Sequence, residues 1–175
     1  MKDTLFFVLF AVMLCVPRVQ AQSSDLFNAA RADDTKTVQS LIAGNVDINQ
    51  RNEDGFTALV LASYNGSPDV AELLLQHHAS TEIKDPVGRT ALMAASFQGD
   101  EKCVKLLIDA KADINAADDN GATSLMYAVE FGRKNAVKLL LAAKADPTMK
   151  DKRGFDAIYL AQQLDDPEML ALLKH

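Results

Sequence analysis

One pattern returns four times along the chain at an interval of 33 residues. It reads Gly55-Phe-Thr-Ala-Leu with Ala62 and Gly66, then Gly88-Arg-Thr-Ala-Leu with Ala95 and Gly99, then Gly121-Ala-Thr-Ser-Leu with Ala128 and Gly132. A fourth copy, Gly154-Phe-Asp-Ala-Ile with Ala161, has Asp165 where the second glycine would fall. A fixed period of this length implies a stacked array, in which each unit buries its apolar face only against its neighbours.

Within each copy the local signals describe two short helices. The first opens at Thr57, Thr90 and Thr123, whose side chains can accept from free N–H groups at a helix start or bond across to the next repeat. Leu59, Leu92, Leu125 and Ile158 fall three residues before Ala62, Ala95, Ala128 and Ala161, which places both on one helical face. Gly66, Gly99 and Gly132 then end that helix. The second helix carries Leu73-Leu74, Leu106-Leu107, Leu139-Leu140 and Leu172-Leu173, with Glu72, Gln76, Lys105, Asp109 and Lys138 turned outward. Helices of about two turns do not hold alone, so stacking must stabilise them.

These residues resemble the ankyrin-repeat family. Its Thr-Pro-Leu-His-x-x-Ala motif appears as Thr57-Ala-Leu-Val…Ala62, Thr90-Ala-Leu-Met…Ala95 and Thr123-Ser-Leu-Met…Ala128. The resemblance implies an all-α solenoid of helix-turn-helix units joined by β-hairpin-like turns. It extends over about Asp25 to His175: a divergent first repeat within 22–51, with Leu26, Ala29, Leu41 and Ile42 at matching places; full repeats at 52–84, 85–117 and 118–150; and a truncated last repeat at 151–175, where Gln162, Gln163, Asp165 and Asp166 supply a polar cap. The family's proline is replaced by Ala or Ser. Its histidine is replaced by Val60, Met93, Met126 and Tyr159, which removes the usual histidine hydrogen-bond network. The glycine expected after each second helix is Asn45, His78, Lys111 or Lys144.

The first 21 residues read as an export signal. Leu5 to Val16 is an unbroken apolar run of 12, short for a bilayer span, and Val19 and Ala21 place small residues before a cleavage site at Gln22. An uncleaved N-terminal anchor is the alternative. A lipid attachment at Cys15 is excluded by the bulk of Leu14 before it. Cleavage removes Lys2, Asp3 and Arg18, leaving 16 basic and 23 acidic residues in a mature domain of residues 22–175. That acidic balance argues against nucleic acid or an anionic membrane surface as a partner. Cys103 becomes the only cysteine, so no intramolecular disulfide forms, and its register on an apolar face marks it as a small core residue.

Nothing in the sequence assembles a catalytic site, a cofactor site or a metal site. The three histidines are His77, His78 and the last residue, His175, which read as solvated. Asp118-Asp-Asn-Gly121 lacks the alternating ligands and later glutamate of a calcium loop, and it falls where every repeat has its turn.

The aromatic residues are more informative. The mature chain has five Phe and three Tyr. The family resemblance implies that residues flanking the turn glycine and at the end of the first helix line a concave, protein-binding face. On this chain those are Phe56, Tyr64, Val87, Arg89, Phe97, Asp119, Asn120, Phe131, Arg153 and Phe155, whereas Met93, Met126 and Tyr127 read as packing. The competing reading is that the rings fold over the grooves between repeats and add burial.

The function this implies is non-enzymatic protein binding by a chain that is monomeric apart from its partner. Export on a compact array of this family resembles a bacterial periplasmic protein, with a secreted eukaryotic protein as the alternative. Two roles are consistent with that resemblance: inhibition of a cell-wall hydrolase such as a peptidoglycan endopeptidase, for self-protection, or support of a periplasmic enzyme such as a peroxide-detoxifying one.

Overall fold

A computed structural model describes residues 25–174. The apolar run, the cleavage site after Ala21 and His175 lie outside the described residues. Ten helices follow in five pairs: α1 (25–31) with α2 (Thr35–Ala43), α3 (Ala58–Asn65) with α4 (Pro68–Gln76), α5 (Ala91–Gln98) with α6 (Glu101–Asp109), α7 (Ser124–Glu130) with α8 (Lys134–Ala142), and α9 (Ala157–Gln163) with α10 (Pro167–Leu173). The described residues contain no strand, only one isolated antiparallel bridge between Ala117 and Thr123. The expected all-α solenoid is what the chain forms.

Each first helix starts where its threonine stops the preceding extended segment. The Thr57, Thr90 and Thr123 hydroxyls accept from the N–H of Val60, Met93 and Met126 at 3.3, 3.4 and 3.4 Å, and Asp156 does the same for Tyr159 at 2.8 Å. Of the two threonine roles open from sequence, the helix cap is the one seen. In place of the family's histidine, the Met93 sulfur accepts from the Thr90 N–H at 3.4 Å, closing a reciprocal cap.

Two rows of helices result. In one, α3, α5, α7 and α9 pack in succession; in the other, α2, α4, α6, α8 and α10 do. Ala62, Ala95, Ala128 and Ala161 are fully buried, and these small residues let the first-helix row pack more closely than the leucine-lined second row. In each leucine pair only the second member, Leu74, Leu107, Leu140 or Leu173, is buried; the first is half-buried. Cys103 is buried with them, and burial followed by the nearby Asp100 carboxylate pushes its thiol upward, so it stays protonated.

The segments between units are tied by a second repeat of contacts. Asn49, Glu82 and Asn115 accept from the backbone N–H of Ser80, Asp113 and Asp146 at 2.8, 3.0 and 2.9 Å, each bond joining one unit to the next. After α2, α4, α6 and α8 the chain turns through positive φ without glycine: +59° at Asn45, +65° at His78, +67° at Lys111 and +68° at Lys144.

Candidate functional site

Each turn forms a finger built on a side chain that is bound within it. Asp85 Oδ1 accepts from the N–H of Val87 and Arg89 at 3.0 and 2.9 Å; Asp118 from Asn120 and Ala122, both at 2.8 Å; Asp151 from Arg153 and Phe155 at 2.8 and 2.9 Å. Asn52 accepts from Phe56 at 2.8 Å. Asp118 is buried and its other oxygen accepts from the Tyr127 hydroxyl at 2.8 Å. The carboxylate that superficially suggested a cation loop is therefore a turn organiser. Tyr127 is half-buried; burial and then that bond to Asp118 raise its hydroxyl above the usual phenol range.

Along the ends of the first helices the aromatic residues meet. Tyr64 stacks on Phe97 with ring centres 5.2 Å apart and planes at 10°, and Phe97 meets Phe131 edge-on at 4.3 Å and 62°. Phe97 is half-buried between its neighbours, while Tyr64 and Phe131 stand 43% and 42% exposed. The rings pack on one another from unit to unit, and Tyr64 and Phe131 still present an apolar edge to solvent. The Arg133 guanidinium lies against this stripe, donating to the Phe97 carbonyl at 3.0 Å. It fits because Gly99, at φ +82°, has no side chain; a Cβ there would stand 2.5 Å from Arg133 Cδ.

A second cluster occupies the finger side of the last unit. Phe155 stacks on Tyr159 at 4.3 Å and 22°, and the Arg153 guanidinium lies 4.9 Å from the Phe155 ring centre. Arg153 also pairs with buried Asp151 at 2.7 Å. Burial pushes the Asp151 carboxyl upward, but the Phe155 N–H, then the Arg153 guanidinium and N–H, together hold it below its ordinary value.

The ten residues read as candidates from sequence do not behave alike. Tyr64, Val87, Asp119, Asn120, Phe131 and Arg153 are exposed. Phe97 and Phe155 are half-buried in ring contacts. Phe56 is half-buried against the core, and Arg89 is drawn back onto Asp85 at 2.8 Å. Two exposed apolar residues on the same side were not singled out from sequence: Tyr159 at 37% and Leu164 at 47%. Leu164 stands one period beyond Phe131 and extends its column, a signal the spacing carried. Tyr159 shares a column with Val60, Met93 and Met126, which are buried under a following unit; Tyr159 has no such unit over it among the described residues.

A family model described as ankyrin repeats (3 copies) matches residues 26–118 and again 78–151. The chain is an ankyrin-repeat protein. Arrays of this family are protein–protein interaction modules and are generally non-enzymatic, so the chain carries such a module. No curated protein matches the sequence. Among the described residues of this ankyrin array, no group of three or more His, Cys, Asp or Glu side chains is placed to hold a metal ion.

Proposed function

We propose that this ankyrin protein is exported to the periplasm, with cleavage after Ala21, and there binds and inhibits a partner enzyme, a cell-wall endopeptidase being the target class, as a self-protection device. The observation that carries the binding face is the placement of the exposed large apolar side chains. Among the described residues these are Tyr64, Val87, Phe131, Tyr159 and Leu164, and all five lie on fingers, on first helices or at the C-caps of first helices, none on the second-helix row. A patch confined to one side of a stacked scaffold is the mark of an interaction surface, and Tyr, Phe and Arg are the residue types that anchor one. The mechanism is steric: a preorganised face enters the partner's cleft and excludes substrate, with no chemistry of its own.

The test begins with capture of partners from a periplasmic extract by the mature chain. Turnover of peptidoglycan by the captured enzyme is then measured against added ankyrin protein. Inhibition by the wild-type chain that is lost in the Phe97→Ala/Phe131→Ala double variant is the expected result. Equal inhibition by the variant refutes the binding face, and stimulation in place of inhibition replaces the inhibitor reading with that of an accessory protein.

A further inference from the structure

The fingertips form a ridge whose backbone is zipped in only part of its length. The Asp119 N–H donates to the Val87 carbonyl at 3.2 Å, and one period later the Lys152 N–H donates to the Asn120 carbonyl at 2.8 Å. Each bond ties one fingertip to the next. The residue one period before Asp119 is Pro86, which has no N–H. The first fingertip is therefore not joined in this way, and the Asp54 carbonyl, equivalent to Val87 and Asn120, is left without a backbone donor. Close approach keeps the ridge tight at both ends of this stretch: a Cβ on Gly55 would stand 2.6 Å from Pro86 Cγ, and one on Gly88 2.5 Å from the Asp119 N.

The two ends of the ridge carry opposite charge, with one further carboxylate, Asp119, at the third tip. The unzipped tip carries Glu53 and Asp54, both exposed; the next carries exposed Pro86 and Val87; the third Asp119 and Asn120; the last Lys152 and Arg153. Arg153 is engaged with Asp151, whereas exposed Lys152 forms no ion pair among the described residues. The acidic end thus offers two exposed carboxylates, both acceptors. The opposite end offers an ammonium, and an apolar tip lies beside the acidic end.

We propose that the ridge docks an extended segment of the partner that carries basic side chains at one end, carboxylates at the other and an apolar side chain between them. Donors of Lys or Arg meet the Glu53 and Asp54 carboxylates, the apolar side chain meets Val87, and the carboxylates meet Lys152. Neighbouring units in a helical stack lie about 10 Å apart, so three steps span roughly 30 Å, the reach of about nine extended residues. Such an arrangement fixes register and direction more than it adds affinity. The inference rests on the reading of the finger side as a binding face, and it specifies the chemistry of what that face receives.

The experiment uses the mature chain and labelled synthetic peptides of about ten residues, read by fluorescence anisotropy. One peptide has a Lys pair at one end, a Glu pair at the other and Leu between. A second has the same composition with the charges interleaved, and a third has Glu pairs at both ends. Wild type is expected to bind the bipolar peptide about tenfold more tightly than the interleaved one, a difference abolished at about 0.5 M salt. Glu53→Lys/Asp54→Lys is expected to switch the preference to the peptide with Glu at both ends, with its circular dichroism and melting temperature preserved because both side chains are exposed. Equal binding of the two isomers, no binding of any peptide, or no switch in the variant overturns the proposal. So does a wild-type chain that dimerises in sedimentation and loses the dimer in that variant, since the ridge's occupant would then be a second copy. If Phe97→Ala/Phe131→Ala keeps the peptide preference but loses enzyme inhibition, ridge and aromatic stripe are separate determinants, as this inference requires. Inhibition that survives with no ridge preference overturns the ridge alone and leaves the function standing.

Discussion

Replacing Lys111 by glycine is expected to stabilise the fold. Lys111 sits at φ +67°, where an L-residue places its Cβ against the following carbonyl. Its side chain is exposed, and among the described residues it forms no ion pair that would offset the strain. The left-handed conformation costs about 1–2 kcal/mol for such a residue. Glycine removes that cost but enlarges the conformational freedom of the unfolded chain, which returns about 0.4–1 kcal/mol. The net expectation is a gain of about 0.5–1 kcal/mol, or roughly 1–4 °C in melting temperature for a domain of this size.

The assay is thermal and urea unfolding of the mature chain followed by circular dichroism, with Lys111→Ala as the control. Alanine also removes the charge and the long side chain but keeps the Cβ, so it leaves the backbone strain in place and gains little. Lys144, at φ +68° one unit on, supplies an internal repeat of the experiment, and the double glycine variant should show nearly additive gains. A lower midpoint for Lys111→Gly, or an equal gain for Lys111→Ala, refutes the argument from backbone conformation.

Three further outcomes are expected. Ser124 is fully buried with no partner for its hydroxyl, at a column otherwise filled by Ala58, Ala91 and Ala157; Ser124→Ala should stabilise by about 1 kcal/mol in urea unfolding. Leu107 is fully buried and Leu106 half-buried, so Leu107→Ala should cost about 3–5 kcal/mol and Leu106→Ala about half as much; equal losses would contradict the assigned helix face. The Asp151 and Asp166 carboxyls are held below their unfolded value of 3.8, Asp166 by the Met169 N–H and then by Lys134. Their stabilisation is present above that value and lost as pH falls through the folded pKa, so the melting temperature should drop on acidification below about pH 4, less so in Asp151→Asn. A melting temperature unchanged down to about pH 2.5 would contradict this.

What could be read from the sequence follows from which positions the stack constrains. The helix starts at Thr57, Thr90 and Thr123, the buried alanines and the positive-φ turns recur because every unit must meet the same neighbour in the same way. The two leucines of each pair were not separable by pattern, since adjacent helical positions differ by a rotation that only the neighbouring helix resolves. Ring contacts were harder still. Phe131 is one residue out of register with Tyr64 and Phe97, and its edge-on meeting with Phe97 depends on side-chain rotation that spacing does not encode. Arg89 was legible in part: Asp85 lies four residues before it, the separation that their ion pair uses. Phe56 and Phe155 occupy one column yet differ, because Phe155 has Tyr159 and Arg153 beside it whereas the corresponding partners of Phe56 are Val60 and Asp54.

The same reasoning separates scaffold from function within a single chain. Columns that pack are restricted in what they hold: Ala62, Ala95, Ala128 and Ala161 are all fully buried, and Val60, Met93 and Met126 in another column are all buried and apolar. Columns that the packing leaves free have no such requirement, and there the units diverge: Glu53, Pro86, Asp119 and Lys152 share one column with three different chemistries. The fold tolerates any of them at an exposed tip, so it explains none of them. Pro86 goes further, because it removes a backbone hydrogen bond that Asp119 and Lys152 both make. Its ring closes instead on Gly55, where a Cβ would stand 2.6 Å from Pro86 Cγ, so packing joins the first tip to the second where the hydrogen bond is missing.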